Sequence, residues 1–425
     1  MSDVVLTGGT VLTPQGPEDG DVRIAAGAVA EIGTNLDGAA VIDCSGTWIG
    51  PGFVDLHTHL REPGHEWKED IGSGSAAAAA GGYTAVVAMP NTDPPTDAGH
   101  LARYIADRGR RTGLVEVVPA GTVSLGRQGE KLAHLDELSD AGVTVFTDDG
   151  DVVADAGLMR QALDYLAGRD GIVAQHAVDT GLSRGGSMHE GAVSSRLGMY
   201  GIPAAAETVI IARDLELVEL TGGRYHVQHV STAGAVAMIA EAKGRGLRVT
   251  AEVTPHHLMF DDTALRAADP TYKMMPPLRS SEDRSALVSG LQSGVIDAVA
   301  TDHAPHAAHE TDVPFEHAPN GVIGLEWAAA VVNTIAGLDM VAFFDRMAEA
   351  PARIAGIAGH GARVAPGIPA NLVVFDPSVE WVPSDTVSQS TNAPYFGVPL
   401  QGRALVTIFR GEVTARTGSV PTEVS

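Results

Sequence analysis

The sequence contains one cysteine, Cys44, in 425 residues. A single thiol excludes an internal disulfide and any thiolate-rich metal site, and Cys44 reads as a small buried hydrophobe near a domain junction. Lysine is almost as scarce, at Lys68, Lys131, Lys243 and Lys273, so arginine carries nearly all the positive charge. With 28 Lys+Arg against 53 Asp+Glu the formal net charge is -25 and the pI is near 4.9. Such a chain lacks the basic patch that a nucleic-acid or anionic-membrane partner requires, so neither is expected. It also lacks any stretch approaching the ~18–20 apolar residues of a membrane span, and its N-terminus lacks a basic region followed by a hydrophobic one. These absences predict a cytoplasmic protein.

The composition present is globular: 44% hydrophobic, 19% charged, mean hydropathy +0.07, with no long low-complexity tract. A chain of 425 residues exceeds the roughly 250–300 at which one core stops growing, so a large domain and a smaller one are expected. Residues 1–50 alternate in the β manner with turn signals at Gly8-Gly9, Asp19-Gly20 and Ala26-Gly27, which suggests a small antiparallel sheet. From Pro51 the rhythm changes. Apolar, β-branched runs at 53–59, 84–89, 114–120, 143–148, 171–175, 225–228, 248–253 and 297–300 alternate with alanine-rich stretches, including helix over 76–80. Eight strand-then-helix units predict an α/β fold, a (β/α)8 TIM-type barrel over 51–364. After about 365 the alternation stops, and 371–375, 404–409 and 412–415 read as antiparallel strands. Neither chain end has enough apolar surface for a core alone, so 1–50 and 365–425 are expected to pair into one β-sandwich domain.

Functional groups of such barrels sit at the carboxyl ends of the strands. Those ends carry His57, His59 and Arg61, then Pro90-Asn91, Asp148-Asp149, His176, His229, and Asp302-His303. In a strand, side chains at i and i+2 share a face, so His57 and His59 project together as two ligands of one ion would. Any one of these residues alone reads equally well as a satisfied polar group; six at one rim favour a site. His65, His100, His134, His226 and His360 fall on helices, loops or the opposite strand face and are assigned structural roles. Four imidazoles with Asp149 and Asp302 exceed one tetrahedral Zn²⁺ and suit two divalent ions, zinc first among candidates, sharing a bridging anion and a hydroxide. Two ions about 3.5–4 Å apart would bring a shared water's pKa near neutrality and polarise a carbonyl. That is hydrolytic machinery.

Several stretches carry a family resemblance. They are 51–64, Pro-Gly-Phe-Val-Asp-Leu-His-Thr-His-Leu-Arg-Glu-Pro-Gly; 89–92, Met-Pro-Asn-Thr; 146–150, Phe-Thr-Asp-Asp-Gly; 228–232, Gln-His-Val-Ser-Thr; 252–257, Glu-Val-Thr-Pro-His-His; and 300–306, Ala-Thr-Asp-His-Ala-Pro-His. Through them the whole chain resembles the metal-dependent amidohydrolase superfamily, and within it the class I dihydroorotases of pyrimidine (UMP) biosynthesis. The resemblance implies reversible cyclisation of N-carbamoyl-L-aspartate to L-dihydroorotate and water. It implies that His57 and His59 bind one metal, that His176 and His229 bind the other, and that Asp149 bridges. Asp302 would touch metal and move the proton; Arg61, Asn91 and His306 would bind the substrate carboxylate, with His59 at hand and Asn320-Gly321 against the ring.

The chain departs from that pattern twice. Met274-Met275-Pro276 stands where relatives read Met-Asn-Pro, so Met275 replaces a side-chain amide beside the ring. Ala177-Val178-Asp179 stands where relatives read Cys-Glu-Asp. Two rival functions stay open: a hydantoinase, dihydropyrimidinase or allantoinase, and a non-catalytic scaffold of aspartate carbamoyltransferase. The former relatives usually bridge their metals with a carbamylated lysine, and none of the four lysines lies at the end of strand four. His256-His257 receive no catalytic role. A homodimer, association with aspartate carbamoyltransferase, and a lid around 307–319 are further expectations.

Overall fold

The computed structural model describes residues 3–417 and 422–424; positions 418–421 and 425 of the expected C-terminal segment lie outside the described residues. The chain opens with β1 (Val4–Thr13), β2 (Gly16–Ala25), β3 (Ala28–Gly33), β4 (Ala40–Asp43) and β5 (Trp48–Pro51). Only the turn at Ala26-Gly27 falls where the glycine signals place one. Gly8-Gly9 lies inside β1, where the register against β2 shifts between Leu6 and Gly9 and Gly8 takes a φ of 72°, so this pair makes a bulge. Asp19-Gly20 pairs with β1 as ordinary strand, and the reversal occurs at Pro14-Gln15.

The middle of the chain is built from strands alternating with helices. β6 (Phe53–Thr58), β7 (Tyr83–Ala88) and β8 (Glu116–Pro119) pair in parallel. So do β9 (Val145–Phe146) and β10 (Ile172–Gln175); β11 (Met188–His189) and β12 (Gly201–Ile202) form a separate small pair. β13 (Arg224–Val227), β14 (Val249–Val253) and β15 (Ala298–Val299) extend the order β15-β14-β13-β10-β9. Single parallel bridges join the two arcs, Gly121 to Phe146 on one side and Thr58 to His303 on the other, so pairing runs round a closed circuit. Every residue of β6, β7 and β10 is buried, as parallel strands covered by helices require. Side-chain caps begin several of those helices: Asp70 accepts from Ser73 N before helix Ile71–Ala80, and Thr232 from Ala235 N before Ala233–Gly244.

The eight strands fall where the apolar runs are, but the fourth and eighth are shorter than 143–148 and 297–300 predict. The backbone leaves the ladder early because its groups are satisfied by side chains: Asp149 N donates to Thr147 Oγ1 at 3.1 Å, and Thr301 N to Asp55 Oδ1 at 2.8 Å.

The chain ends meet. β16 (Leu372–Trp381) pairs antiparallel with β5, matching Leu372 to Pro51, and β17 (Leu400–Phe409) and β18 (Glu412–Arg416) continue the sheet. β19 (Thr422–Val424) pairs with β4. Val4, Leu6, Val22, Ile24 and Ile42 from one end share a core with Leu372, Val374, Val406 and Ile408 from the other. Cys44 lies in that core, where burial pushes its thiol up to about 12 and leaves it unreactive. Phe53 of β6 packs against Phe343, Phe344 and Phe375, tying the parallel strands to this sheet. Gly50 is needed there, because a Cβ would lie 2.4 Å from the Phe344 ring.

Candidate metal centre and active site

At the carboxyl ends of the parallel strands lies a cavity of about 310 Å³. It is lined by His59, Arg61, Asn91, Asp149, His176, His229, Met275, Asp302, His306, Asn320 and Gly321, all of which sequence reasoning placed at the site. His57 lies fully buried at its base, with Nε2 3.3 Å from Asp149 Oδ2.

Asp149 sorts the four imidazoles into two pairs. Its Oδ2 faces His57 Nε2 at 3.3 Å and His59 Nε2 at 3.4 Å, while its Oδ1 faces His176 Nδ1 at 3.4 Å and His229 Nε2 at 3.5 Å. Asp302 Oδ1 approaches only the first pair, at 3.4 Å from His57 and 3.1 Å from His59. Two groups of donor atoms are close enough to hold metal ions: His57, Asp149 and His229, and His57, His59 and Asp302. His57 Nε2 and Asp149 Oδ1 are buried without a hydrogen-bond partner, a costly condition that a cation between them relieves. Nitrogen and carboxylate donors with no thiolate suit a borderline divalent ion. The residues therefore fit metal.

Electrostatics repeat the pattern. Burial opposes charge on Asp149 and Asp302, yet the surrounding imidazoles hold both carboxyls well below the usual range. Burial also pushes His59 and His176 down, keeping them neutral and able to offer lone pairs. His229, Asp302 and Arg61 all adopt left-handed backbone, with φ of 31°, 45° and 62°, which non-glycine residues accept mainly where surroundings dictate it.

The supporting residues include several that sequence reasoning did not assign. Glu252 accepts from His57 Nδ1 at 2.9 Å and from His226 Nε2 at 3.0 Å, and His226 Nδ1 meets Thr250 Oγ1 at 2.8 Å. His226 thus belongs to the site's support, correcting its assignment as a structural residue on the opposite face. Burial would raise the Glu252 carboxyl, but these histidines bring it to about 2. An acid inside the buried end of strand β14 is the signal that finds it. Asp55 accepts from Thr301 N at 2.8 Å, Thr301 Oγ1 at 2.6 Å and Thr58 Oγ1, tying the end of β6 to that of β15. Asp148 accepts from Val123 N and Ser124 N at 2.9 and 3.0 Å, so this neighbour of Asp149 fixes the loop after β8.

Asn91 Oδ1 accepts from His59 Nδ1 at 2.8 Å, which turns His59 Nε2 to the carboxylates. Arg61 Nε donates to Pro305 O at 3.1 Å; among the described residues its terminal amino groups carry no hydrogen bond. Burial lowers this guanidinium to about 10, still charged at neutral pH. His306 Nε2 donates to Asn320 O at 2.8 Å, and Gly321, at φ 135°, admits no Cβ because Ala304 would lie 2.6 Å from it. His256 and His257 are buried beside the centre and kept neutral by burial, His256 at about 4. Among the described residues no lysine lines the cavity. The 307–319 segment is pinned by Lys68 to Glu310 at 2.9 Å and by Lys273 Nζ to Ala318 O at 2.7 Å.

Fold and site together define a cyclic amidohydrolase. Solved structures with this fold include the L-hydantoinase (dihydropyrimidinase) from Arthrobacter aurescens, with a TM-score of 0.86 at 24% identity over 99% of this chain and 98% of that one. The dihydropyrimidinase from Brevibacillus agri NCHU1002 follows at 0.83 and 25%, over 100% and 97%. Closer in sequence, the proteins named dihydroorotase from Leifsonia xyli and Streptomyces coelicolor are each 45% identical, over 94% of both chains and over 99% and 100% respectively. That of Mycobacterium tuberculosis is 45% identical over 94% and 96%. The family model described as Dihydro-orotase-like matches residues 46–235. The chain belongs to the dihydroorotase family.

Proposed function

We propose that this protein is a dihydroorotase that interconverts N-carbamoyl-L-aspartate and L-dihydroorotate, with two divalent ions, zinc first among them, held by the two groups around Asp149. The observation carrying this reading is that one aspartate turns one oxygen to His57 and His59 and the other to His176 and His229. Ions held there would bring a water's pKa toward neutrality and polarise a carbonyl. The residue that would bridge them is the carboxylate of Asp149, and among the described residues no lysine lines the cavity to take its place.

The chain's own residues supply the rest. Asp302, on the His59 side, takes the proton of the water attacking the ring amide carbonyl and delivers it to the departing ring nitrogen; ring closure reverses the transfer. Arg61 offers its unpaired amino groups to the substrate carboxylate, and Asn91 adds its NH₂, its oxygen being committed to His59. His306 has Nε2–H committed to Asn320 O, and burial beside Arg61 lowers it to about 3, so a neutral His306 serves the carboxylate's end of the cavity by holding Asn320 in place. Asn320, Gly321 and Met275 line the same cavity, Met275 supplying an apolar contact for the ring.

The same reading takes the parallel circuit, 51–364, as a (β/α)8 barrel and residues 1–50 with 365–425 as its companion β-sandwich. Among the described residues no helix is long and apolar enough to cross a membrane. Cytoplasmic location, a homodimer and a carbamoyltransferase partner rest on sequence alone, and co-purification with sedimentation analysis tests the last two. Turnover of dihydroorotate, measured beside hydantoin and allantoin, tests the function; selective turnover of either rival would overturn it.

A further inference from the structure

Two of the loops that line the cavity, those of His306 and of Asn320-Gly321, run side by side, and a residue from near the end of the chain fastens them. His303 and Val322 form a parallel bridge, and Ala304 N donates to Val322 O at 2.8 Å. Next to that bridge the link passes to Asn392, in the connection between β16 and β17. Its side-chain NH₂ donates to Ala304 O and to Gly321 O, each at 3.0 Å, and its Oδ1 accepts from His306 N at 3.1 Å. Its backbone carbonyl accepts from Ile323 N at 3.1 Å. Two carbonyls on one side and an N–H on the other leave the amide a single orientation. The side chain is buried, so these groups depend on one another for hydrogen bonds that water would otherwise make. The connection is itself held on both sides of Asn392. Ser388 Oγ and Gln389 N donate to Glu69, and Ser390 Oγ donates to Lys68 O at 2.6 Å. Beyond Asn392 the fully buried Tyr395 packs on Trp327, with ring centroids 5.6 Å apart.

Resting on the dihydroorotase reading, we propose that Asn392 is a positioning residue for substrate, setting the spacing between the loop of His306 and the loop of Asn320 and Gly321. His306 Nε2 donates to Asn320 O at 2.8 Å, so Asn392, with His306 N at one end of its amide and Gly321 O at the other, closes a ring of contacts through all three residues. The cavity wall is made by those three and not by Asn392, which acts through them. Binding groups work only at the distance their ligand requires, and a buried amide bonded at both ends fixes that distance. The metal donors depend on other partners, Glu252 behind His57 and Asn91 behind His59, so loss of Asn392 falls on binding rather than on chemistry. The chain after β16, which otherwise builds the companion sheet, thereby takes part in the substrate site.

Asn392→Asp keeps the size of the side chain and the acceptor for His306 N but turns an oxygen on the carbonyls of Ala304 and Gly321. In the metal-loaded protein KM for dihydroorotate is expected to rise about tenfold or more, with kcat within about threefold of native and metal content unchanged. Asn371→Ala is the comparison. That buried amide likewise donates to a carbonyl, Gly359 O at 2.8 Å, and accepts from Arg410 N at 2.8 Å, but at the seam of the two halves of the molecule. It should lose stability and leave KM native. An unchanged KM in Asn392→Asp, an equal rise in Asn371→Ala, or a kcat loss as large as the KM rise would overturn the proposal. The native protein gives a second reading that needs no variant to fold. Hydrogen exchange with and without saturating dihydroorotate should show added protection at 388–393, outside the cavity wall, together with 304–306 and 320–323. Protection confined to the latter two segments would also overturn it. The dihydroorotase reading fails separately, if the native protein does not turn over dihydroorotate at all.

Discussion

His57 Nδ1 lies 2.9 Å from Glu252 Oε1, and both side chains are fully buried. The imidazole donates inward from Nδ1, and its Nε2 faces Asp149 and Asp302. A carboxylate behind a ligating histidine fixes its tautomer and raises its basicity. Glu252→Gln retains volume and an acceptor oxygen but removes the charge. It is expected to weaken metal binding about 10–100-fold, measured by competition with a chelator. Native affinity in this variant would mean that Glu252 serves packing alone.

Asp302→Asn keeps an oxygen toward the metal groups but cannot accept a proton. Metal content should stay near native while kcat falls about 10²–10⁴-fold. His57→Ala should lose both. Near-native kcat in Asp302→Asn would remove this carboxylate from proton transfer.

Asp149 needs no carbamate to form, so activity should be independent of added bicarbonate. Asp149→Ala leaves two cation sites without the anion between them, and metal content and rate should fall together. Elemental analysis beside an activity assay in CO₂-free buffer checks both halves. Bicarbonate stimulation of the native protein contradicts the assignment.

Arg61→Met should raise KM for dihydroorotate by about tenfold or more, since a charge-assisted pair in a pocket contributes about 1.5–3 kcal/mol. An analogue lacking the carboxylate should be affected little. The comparison of the two substrates is the measurement; equal losses would make Arg61 structural.

His360 joins the two halves of the molecule, with Nδ1 3.0 Å from Thr84 Oγ1 and Nε2 accepting from Asn371 Nδ2 at 3.4 Å. Burial, aided by Arg410, lowers it to about 4. Unfolded histidine titrates near 6.5, so the folded state binds fewer protons between these values and stability rises with pH across the window. The contribution is complete above about pH 6.5 and lost toward pH 4, amounting to about 3 kcal/mol. Denaturant midpoints from pH 4.5 to 7 should show a shallower slope in His360→Gln; an unchanged slope assigns the acid sensitivity elsewhere.

Much of the site was legible because the metal donors stand at strand ends, where sequence spacing and three-dimensional position coincide. His57 and His59 share a face by the two-residue period of a strand, and Asp149, His176, His229 and Asp302 each follow an apolar run. What lay hidden depends on contacts between segments far apart in sequence. Glu252 reaches His57 across 195 residues, and Asp55 reaches Thr301 across 246, distances over which no periodicity speaks. The N-terminal sheet misled where glycine served a bulge, since local propensity does not distinguish a bulge from a reversal.

The pairing of β5 with β16 sets an order on biosynthesis. Some 320 residues separate Gly50 from its partner Val373, so the first sheet leaves the ribosome with one edge open until nearly the whole chain has followed. The metal groups are likewise incomplete until Asp302 emerges. A nascent chain stalled before residue 372 therefore presents an unsealed strand edge and an apolar face still waiting for Val374, Val406 and Ile408. Quality control that recognises such edges would act on chains stopped short of β16, while the finished chain offers it nothing at that seam.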